Sequence, residues 1–107
     1  MRIGVIGDGG WGTALALLLR GNGHSVRLWG AFPDYVAEMR RMRENRRFLP
    51  GVPLPDDLEL TEDPATCCAG SDLLLSVVPT PFLRQVSGRF APHATGVPIV
   101  SATKGLE

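Results

Sequence analysis

A glycine-rich segment near the start of the sequence constrains the fold of this chain more than any other feature. Residues 7–12 read GDGGWG and fit the pattern G-x-G-x-x-G. They lie between a short apolar run at residues 1–6 and an Ala- and Leu-rich segment at residues 11–22. The first flank is typical of a strand buried on both faces of a parallel sheet, and the second of a helix. The segment therefore predicts a tight turn that joins a first strand to a first helix.

Strand and helix patterns continue to alternate through the rest of the chain. Further strands are predicted at residues 25–29, 58–61, 72–78 and 97–101, and helical segments after Asp34, at residues 64–69 and at residues 81–90. Residues 45–57 contain three prolines and a glycine and predict an ordered loop or short excursion rather than a regular element. This alternation, in a chain of 107 residues that fits one domain, predicts an α/β fold with a doubly wound parallel sheet of the Rossmann type.

Charge and cysteine content argue against several classes of function. Eleven basic and eleven acidic residues give a formal net charge of zero, so nucleic acid is not an expected partner. No apolar run approaches the ~20 residues that a membrane span needs. The cysteines, Cys67 and Cys68, are adjacent, and the sequence has no ligand spacing typical of a metal site. We therefore expect reduced thiols in a cytoplasmic protein without a metal, in preference to a redox pair.

Each glycine of the motif has a physical role in a site for a dinucleotide. Gly7 permits the tight turn, Gly9 lets the backbone approach a diphosphate, and Gly12 lets the helix lie close to the strand. The backbone N–H groups near Gly10, Trp11 and Gly12, together with the helix dipole, are expected to face phosphate oxygens. The alternative is a glycine-rich turn without a ligand, and the position between a strand and a helix favours the binding site.

Two features of the sequence bear on the choice of cofactor. Asp8 lies within the glycine turn, where its carboxylate would repel a diphosphate, so we expect its side chain to face outward into solvent. A site that prefers NAD usually has an acidic residue at the end of the second strand, whereas residues 29–33 read WGAFP. The choice between NAD and NADP therefore stays open. Arginines that could hold a 2′-phosphate are Arg27, Arg40, Arg41 and Arg43, and the alternative for residues 40–47 is a solvated helix end.

Several segments together identify a family. GDGGWGTALALLL is followed in order by NRRFLPG at residues 45–51, SVVPT at residues 76–80 and SATKGLE at residues 101–107. In this combination the chain resembles, over its whole length, the N-terminal domain of soluble NAD(P)-dependent glycerol-3-phosphate dehydrogenases. The N-x-x-F-L-P-G and T-K-G-L-E segments are more specific than the glycine motif, which many oxidoreductases share.

The resemblance implies hydride transfer between a nicotinamide and either dihydroxyacetone phosphate or sn-glycerol 3-phosphate, a small phosphate substrate, for the synthesis of glycerophospholipid precursors. It also implies positions for the cofactor, NAD or NADP. Gly10 and Trp11 would contact its phosphates, and Ala31 and Phe32 would lie beside the adenosine ribose. The remaining residues implied are Val78, Pro79 and Phe82, which would flank the cofactor, and Lys104, which would lie where nicotinamide and substrate meet.

Lys104 is notable even without the family. It is the only lysine among the eleven basic residues, and it follows the last predicted strand at its carboxyl end, the edge where ligands bind in such sheets. An ammonium group there could hold an anionic substrate or polarise a carbonyl. The alternative is a lone surface lysine.

The resemblance also implies a second, helical domain that supplies the catalytic lysine and most substrate contacts, and this chain is expected to stop before it. Residues 1–107 would then be the dinucleotide-binding domain, without an assigned catalytic residue, and would bind the cofactor without turnover. Apolar surface left uncovered would favour self-association. The alternatives are another Rossmann dehydrogenase, which the two specific segments disfavour, and a non-catalytic module that senses nucleotides.

Overall fold

The structure, a computed structural model, describes residues 1–102. Strands and helices alternate along the chain except for three consecutive strands after the second helix, and a short 3₁₀ turn, Thr80–Phe82, precedes the last helix. The elements are β1 (Arg2–Ile6), α1 (Gly10–Gly21), β2 (Ser25–Trp29), α2 (Pro33–Met42), β3 (Glu44–Asn45), β4 (Leu49–Pro53), β5 (Glu59–Thr61), α3 (Pro64–Cys68), β6 (Leu73–Ser76), α4 (Leu83–Phe90) and β7 (Ile99–Ser101).

A five-stranded parallel sheet forms the centre of the described part of the chain, with the order β5-β2-β1-β6-β7. The chain first moves outward from β1 through β2 to β5, and then returns to the other side of β1 for β6 and β7. The order therefore reverses between β1 and β6. This confirms the predicted doubly wound sheet, in which a ligand crevice forms where the order reverses, at the carboxyl ends of the strands.

Helices cover both faces of the sheet, because alternate residues of β1 point to opposite sides. Ile3 and Val5 pack in one apolar cluster with residues of α1 and α2. Ile6 belongs to the second cluster, which contains residues of α3 and α4. Trp29 and Phe90 lie in this second cluster with their rings edge to face, 4.9 Å between centroids. Cys67 and Cys68 are free thiols buried in the same cluster, as predicted, and burial raises the pKa of Cys67 to about 12.

The prediction for residues 45–57 was wrong in part, because this segment contributes to a small antiparallel hairpin. Strands β3 and β4 pair with Glu44 opposite Pro53 and Asn45 opposite Leu49, with a register shift between the two pairs. Proline is tolerated in such an isolated ribbon because its missing N–H can face away from the partner strand. Because β4 contains two prolines and Gly51, its sequence lacks the usual strand pattern and was predicted as a loop.

No helix in the described part of the chain is long and apolar enough to cross a membrane.

Candidate functional site

The turn after β1 lies directly against the end of β6. Gly7 has a φ of 121°, a conformation that favours glycine, and its N–H donates to the carbonyl of Trp29 at 3.0 Å. A Cβ atom at Gly7 would lie 3.0 Å from the carbonyl oxygen of Val77. The N–H of Val77 in turn donates to the carbonyl of Ile6 at 2.8 Å. The glycine turn and the carboxyl end of β6 therefore form the two sides of the crevice where the strand order reverses.

The other motif glycines divide into two kinds. A Cβ atom at Gly12 would overlap the carbonyl oxygen of Gly7, and one at Gly10 would lie 2.8 Å from the carbonyl oxygen of Phe48. At Gly9, by contrast, a Cβ atom would meet no described atom within 4 Å. Gly10 and Gly12 therefore permit close packing within the protein, as predicted for Gly12, whereas the position beside Gly9 is open space.

The first turn of α1 faces this open space. Gly9 is the N-cap residue, and within the described residues no side chain caps the helix and no acidic residue lies in its first turn. The first N–H groups of a helix have no partners within the helix, and the helix dipole places partial positive charge there. Trp11 is exposed, and its indole N–H donates to the carbonyl of Ala102 at 3.2 Å. The start of α1 is thus linked to the residue after β7 and is suited to an anion.

The predicted orientation of Asp8 was wrong. Its carboxylate packs against Gly30 at the end of β2, where a Cβ atom on Gly30 would overlap Oδ2. Oδ2 is buried and has no hydrogen-bond partner among the described residues. Burial raises the pKa of this carboxyl group above its ordinary value. The expectation considered only repulsion from a ligand, whereas the absence of a side chain at Gly30 leaves room for the carboxylate beneath the turn.

A buried amide, Asn45, joins the hairpin to the glycine turn. Its Nδ2 donates to the carbonyl of Asp8 at 2.7 Å and to Oγ1 of Thr13 at 2.8 Å. Its Oδ1 accepts from the hydroxyl of Tyr35 and from the N–H of Phe48, the latter at 3.3 Å. The sequence contained Asn45 in a family segment but gave no signal of this role, because its partners come from three other parts of the chain.

The remaining predicted cofactor residues border the same edge of the sheet. Ala31 and Phe32 come after Gly30, the residue that follows β2, and the Phe32 side chain is 68% exposed. After β6, Val78 is buried, Pro79 is exposed and Phe82 is 56% exposed. The structure thus brings the residues from the three loops to one rim. Lys104 and the rest of the T-K-G-L-E segment lie outside the described residues.

Within residues 1–102, three of the four candidate arginines have partners. Arg27 pairs with Glu59 at 2.9 Å and donates to the backbone carbonyls of Thr66, at 2.7 Å, and Ala69. The guanidinium groups of Arg40 and Arg43 donate to the carbonyls of Leu60 and Leu58, each at 2.8 Å. These side chains hold loops and strands together. The alternative prediction for residues 40–47 was a helix end exposed to solvent. It does not fully describe Arg40 and Arg43, because both side chains bind backbone carbonyls.

Comparisons with known proteins agree on one family. A sequence model described as NAD-dependent glycerol-3-phosphate dehydrogenase N-terminus matches residues 2–107. The chain is 48% identical over 105 residues to the glycerol-3-phosphate dehydrogenase (NAD(P)+) of Halorhodospira halophila, covering 98% of this chain and 31% of that protein. It is 49% identical over 107 residues to the enzyme of the same name from Escherichia fergusonii, covering 96% of this chain and 31% of that protein.

A solved structure shows the same similarity in three dimensions. The crystal structure of glycerol-3-phosphate dehydrogenase from Coxiella burnetii superposes with a TM-score of 0.90 at 38% identity, covering 96% of this chain and 32% of that chain. The chain described here therefore spans about a third of the length of the relatives that it matches.

Proposed function

This chain belongs to the family of NAD-dependent glycerol-3-phosphate dehydrogenase N-termini, as its sequence resemblance predicted, and from this premise we propose that it binds NAD or NADP at the carboxyl edge of its sheet. The observation that carries the proposal is the open space beside Gly9, at the start of a helix whose first turn has no capping side chain among the described residues. A diphosphate fits such a place because backbone N–H groups and the helix dipole both favour negative charge.

Each side of the crevice would hold a different part of the dinucleotide. The diphosphate would lie on the N–H groups of the first turn of α1, close to the open side of Gly9. The adenosine ribose would lie at the end of β2, and the nicotinamide half would continue along the end of β6. The residues proposed for these contacts are Gly7, Gly9, Gly10, Trp11, Gly12, Ala31, Phe32, Val78, Pro79, Phe82 and Lys104.

The whole protein would interconvert sn-glycerol 3-phosphate and dihydroxyacetone phosphate and so supply glycerophospholipid precursors. The relatives are named glycerol-3-phosphate dehydrogenase (NAD(P)+), and the nicotinamide supplies or accepts the hydride in such chemistry. Within this chain, Lys104 would hold the anionic substrate where it meets the nicotinamide. Residues 1–107 would act as the dinucleotide-binding domain and would not turn over by themselves, since the relatives are about three times as long.

The test is a titration of the purified chain with NADH and with NADPH. Trp11 is exposed at the proposed diphosphate site and Trp29 is buried in the core, so a change in fluorescence is expected from Trp11. Calorimetry would give the affinity independently. Saturable binding of either dinucleotide supports the proposal, and the ratio of the two dissociation constants gives the cofactor preference. No binding of either at millimolar concentration would overturn it.

The location and assembly of the protein are part of the same proposal. Two buried, free thiols suit a reducing compartment such as the cytoplasm. Ile99 and Val100 of β7 are each about half exposed, and an apolar edge strand of this kind favours self-association of the chain. Sedimentation velocity should therefore detect dimers or larger species at high concentration, and a single monomeric species would contradict this part.

A further inference from the structure

Asn45 uses every hydrogen-bonding position of its side chain in the interior of the protein. The residue has no exposed surface, and its amide has two donor hydrogens and one oxygen with two lone pairs. The donors go to the carbonyl of Asp8 and to Thr13, and the oxygen accepts from Tyr35 and from the backbone N–H of Phe48. No other side-chain type of this size supplies two donors and two acceptor positions in this arrangement.

One of these bonds reaches the glycine turn directly, at Asp8, and another reaches it through Thr13. The carbonyl of Asp8 accepts from Asn45 and also, at 3.3 Å, from the hydroxyl of Thr13. Because a trans peptide is planar, its carbonyl and its N–H point in opposite directions. Holding the carbonyl of Asp8 inward therefore fixes the N–H of Gly9 in a direction away from Asn45. The orientation of the turn is set by a residue that lies far from it in the sequence.

The hairpin meets the turn at a second point. The carbonyl oxygen of Phe48 lies so close to Gly10 that a Cβ atom there would be only 2.8 Å away. The N–H of the same residue is held by Oδ1 of Asn45. Asn45 thus holds both the carbonyl before Gly9 and the backbone that packs on Gly10, the first residue of α1.

We propose that Asn45 is a positioning residue for dinucleotide binding, which holds the Asp8–Gly9 peptide in the orientation that accepts a diphosphate. The proposal rests on the proposed function of the glycine turn and deepens it. Asn45 is buried and acts through the main chain of the turn, without contact to the ligand. The hairpin of β3 and β4 is accordingly the outer support of the diphosphate site.

The test compares two variants that each lose a hydrogen bond to a backbone carbonyl. Asn45→Asp keeps the shape of the side chain but places an acceptor oxygen against the carbonyl of Asp8. Ser71→Ala is the control, because it removes the bond from the Ser71 hydroxyl to the carbonyl of Cys67, at the opposite edge of the sheet. The dissociation constant for NADH is expected to rise about tenfold in Asn45→Asp, the equivalent of one hydrogen bond, and to change less than twofold in Ser71→Ala.

Amide hydrogen exchange is a second measurement. A general loss of stability would raise exchange rates throughout the protein, whereas a positioning role predicts an increase confined to the start of α1. Exchange at the amide of Thr13, which donates to the carbonyl of Gly9 at 2.9 Å, should accelerate in Asn45→Asp relative to the amides of β6, and should not do so in Ser71→Ala. If Asn45→Asp does not fold, Asn45→Ala removes the same donor without adding an acceptor oxygen beside the carbonyl of Asp8, and should also raise the dissociation constant about tenfold.

The outcomes separate this inference from the function on which it rests. If the unmodified chain binds neither NADH nor NADPH, both are overturned. If the unmodified chain binds and the folded Asn45→Asp or Asn45→Ala variant binds equally well, the function stands and the positioning role of Asn45 is overturned.

Discussion

The two edges of the sheet each border a cavity of about 240 Å³, but their chemistry differs. At the amino edge the lining includes Arg27, Asp57 and Glu59, and these charges already have partners. Arg27 pairs with Glu59 and Arg20 with Asp57, each at 2.9 Å. The hydrogen bond from Arg20 also holds the pKa of Asp57 below its ordinary value.

At the carboxyl edge the cavity is lined mainly by apolar side chains, among them Ile6, Phe90 and Ile99. The nearby turn presents backbone N–H groups at the start of α1. The amino edge is thus more charged, but its opposite charges neutralise one another. The carboxyl edge, which we propose binds an anion, would do so with backbone N–H groups. A concave arrangement of backbone N–H groups needs no charged side chain to hold a phosphate. The comparison predicts that changes at the carboxyl edge alter binding and that changes at the amino edge do not.

The largest expected effect is at Gly12. In Gly12→Ala the new methyl group would overlap the carbonyl oxygen of Gly7, so the turn and α1 must separate. The free energy of unfolding should fall by about 3 kcal/mol, as measured by urea denaturation.

Gly88→Ala is the matched control for this substitution. A Cβ atom at Gly88, within α4, meets no described atom within 4 Å. The variant should be more stable than the parent by about 0.5–1 kcal/mol, because alanine favours a helix. Equal stability of the Gly12 and Gly88 variants would show that the turn and helix are not in close contact.

Asp8→Asn is expected to have an intermediate and opposite effect. Burial raises the pKa of Asp8 above its ordinary value of 3.8, so the protonated form favours the folded state. The favourable contribution is complete below pH 3.8 and is lost as the pH rises through the raised pKa of the folded state. At pH 7 the variant should therefore melt about 2–5 °C above the parent.

Thermal melts at several pH values check the sign of this effect. The difference in Tm between Asp8→Asn and the parent should shrink as the pH falls from 7 towards 4. A difference that stays constant, or that grows on acidification, would show that Asp8 is not the group responsible.

The smallest effect is expected at the amino edge. Glu59→Gln removes the charge that pairs with Arg27, but the Glu59 side chain is 62% exposed. Exposed ion pairs contribute little to stability, so the free energy of unfolding should change by no more than about 0.5 kcal/mol. The affinity for NADH, measured by calorimetry, should remain that of the parent. A clear loss of affinity for NADH in Glu59→Gln would show that the amino edge also contributes to binding.

The sequence predicts the elements whose patterns are local. The apolar runs of β1, β2 and β6 and the helical spacing of α1 and α2 needed no knowledge of distant residues. The hairpin was missed because β3 has only two residues and β4 contains two prolines and a glycine, so neither strand shows an apolar pattern.

The site could be predicted only where a residue's role depends on its neighbours in the chain. Gly7 and Gly12 fall in this class, because strand, turn and helix follow one another directly. The orientation of Asp8 was predicted wrongly because it depends on Gly30, which follows another strand, β2. Asn45 escaped because a buried amide is identified by its partners, which only the folded chain brings together.

The most direct test of the central claim is to fill the open space beside Gly9. The backbone at this residue, with φ of −67° and ψ of −178°, is one that any residue adopts, and a Cβ atom there meets no described atom within 4 Å. Gly9→Val should therefore still fold, with a loss of about 1 kcal/mol because valine is a poorer N-cap residue than glycine, and its dissociation constant for NADH should rise about a hundredfold. Binding by a folded Gly9→Val variant with the affinity of the parent would show that the diphosphate does not lie at this turn.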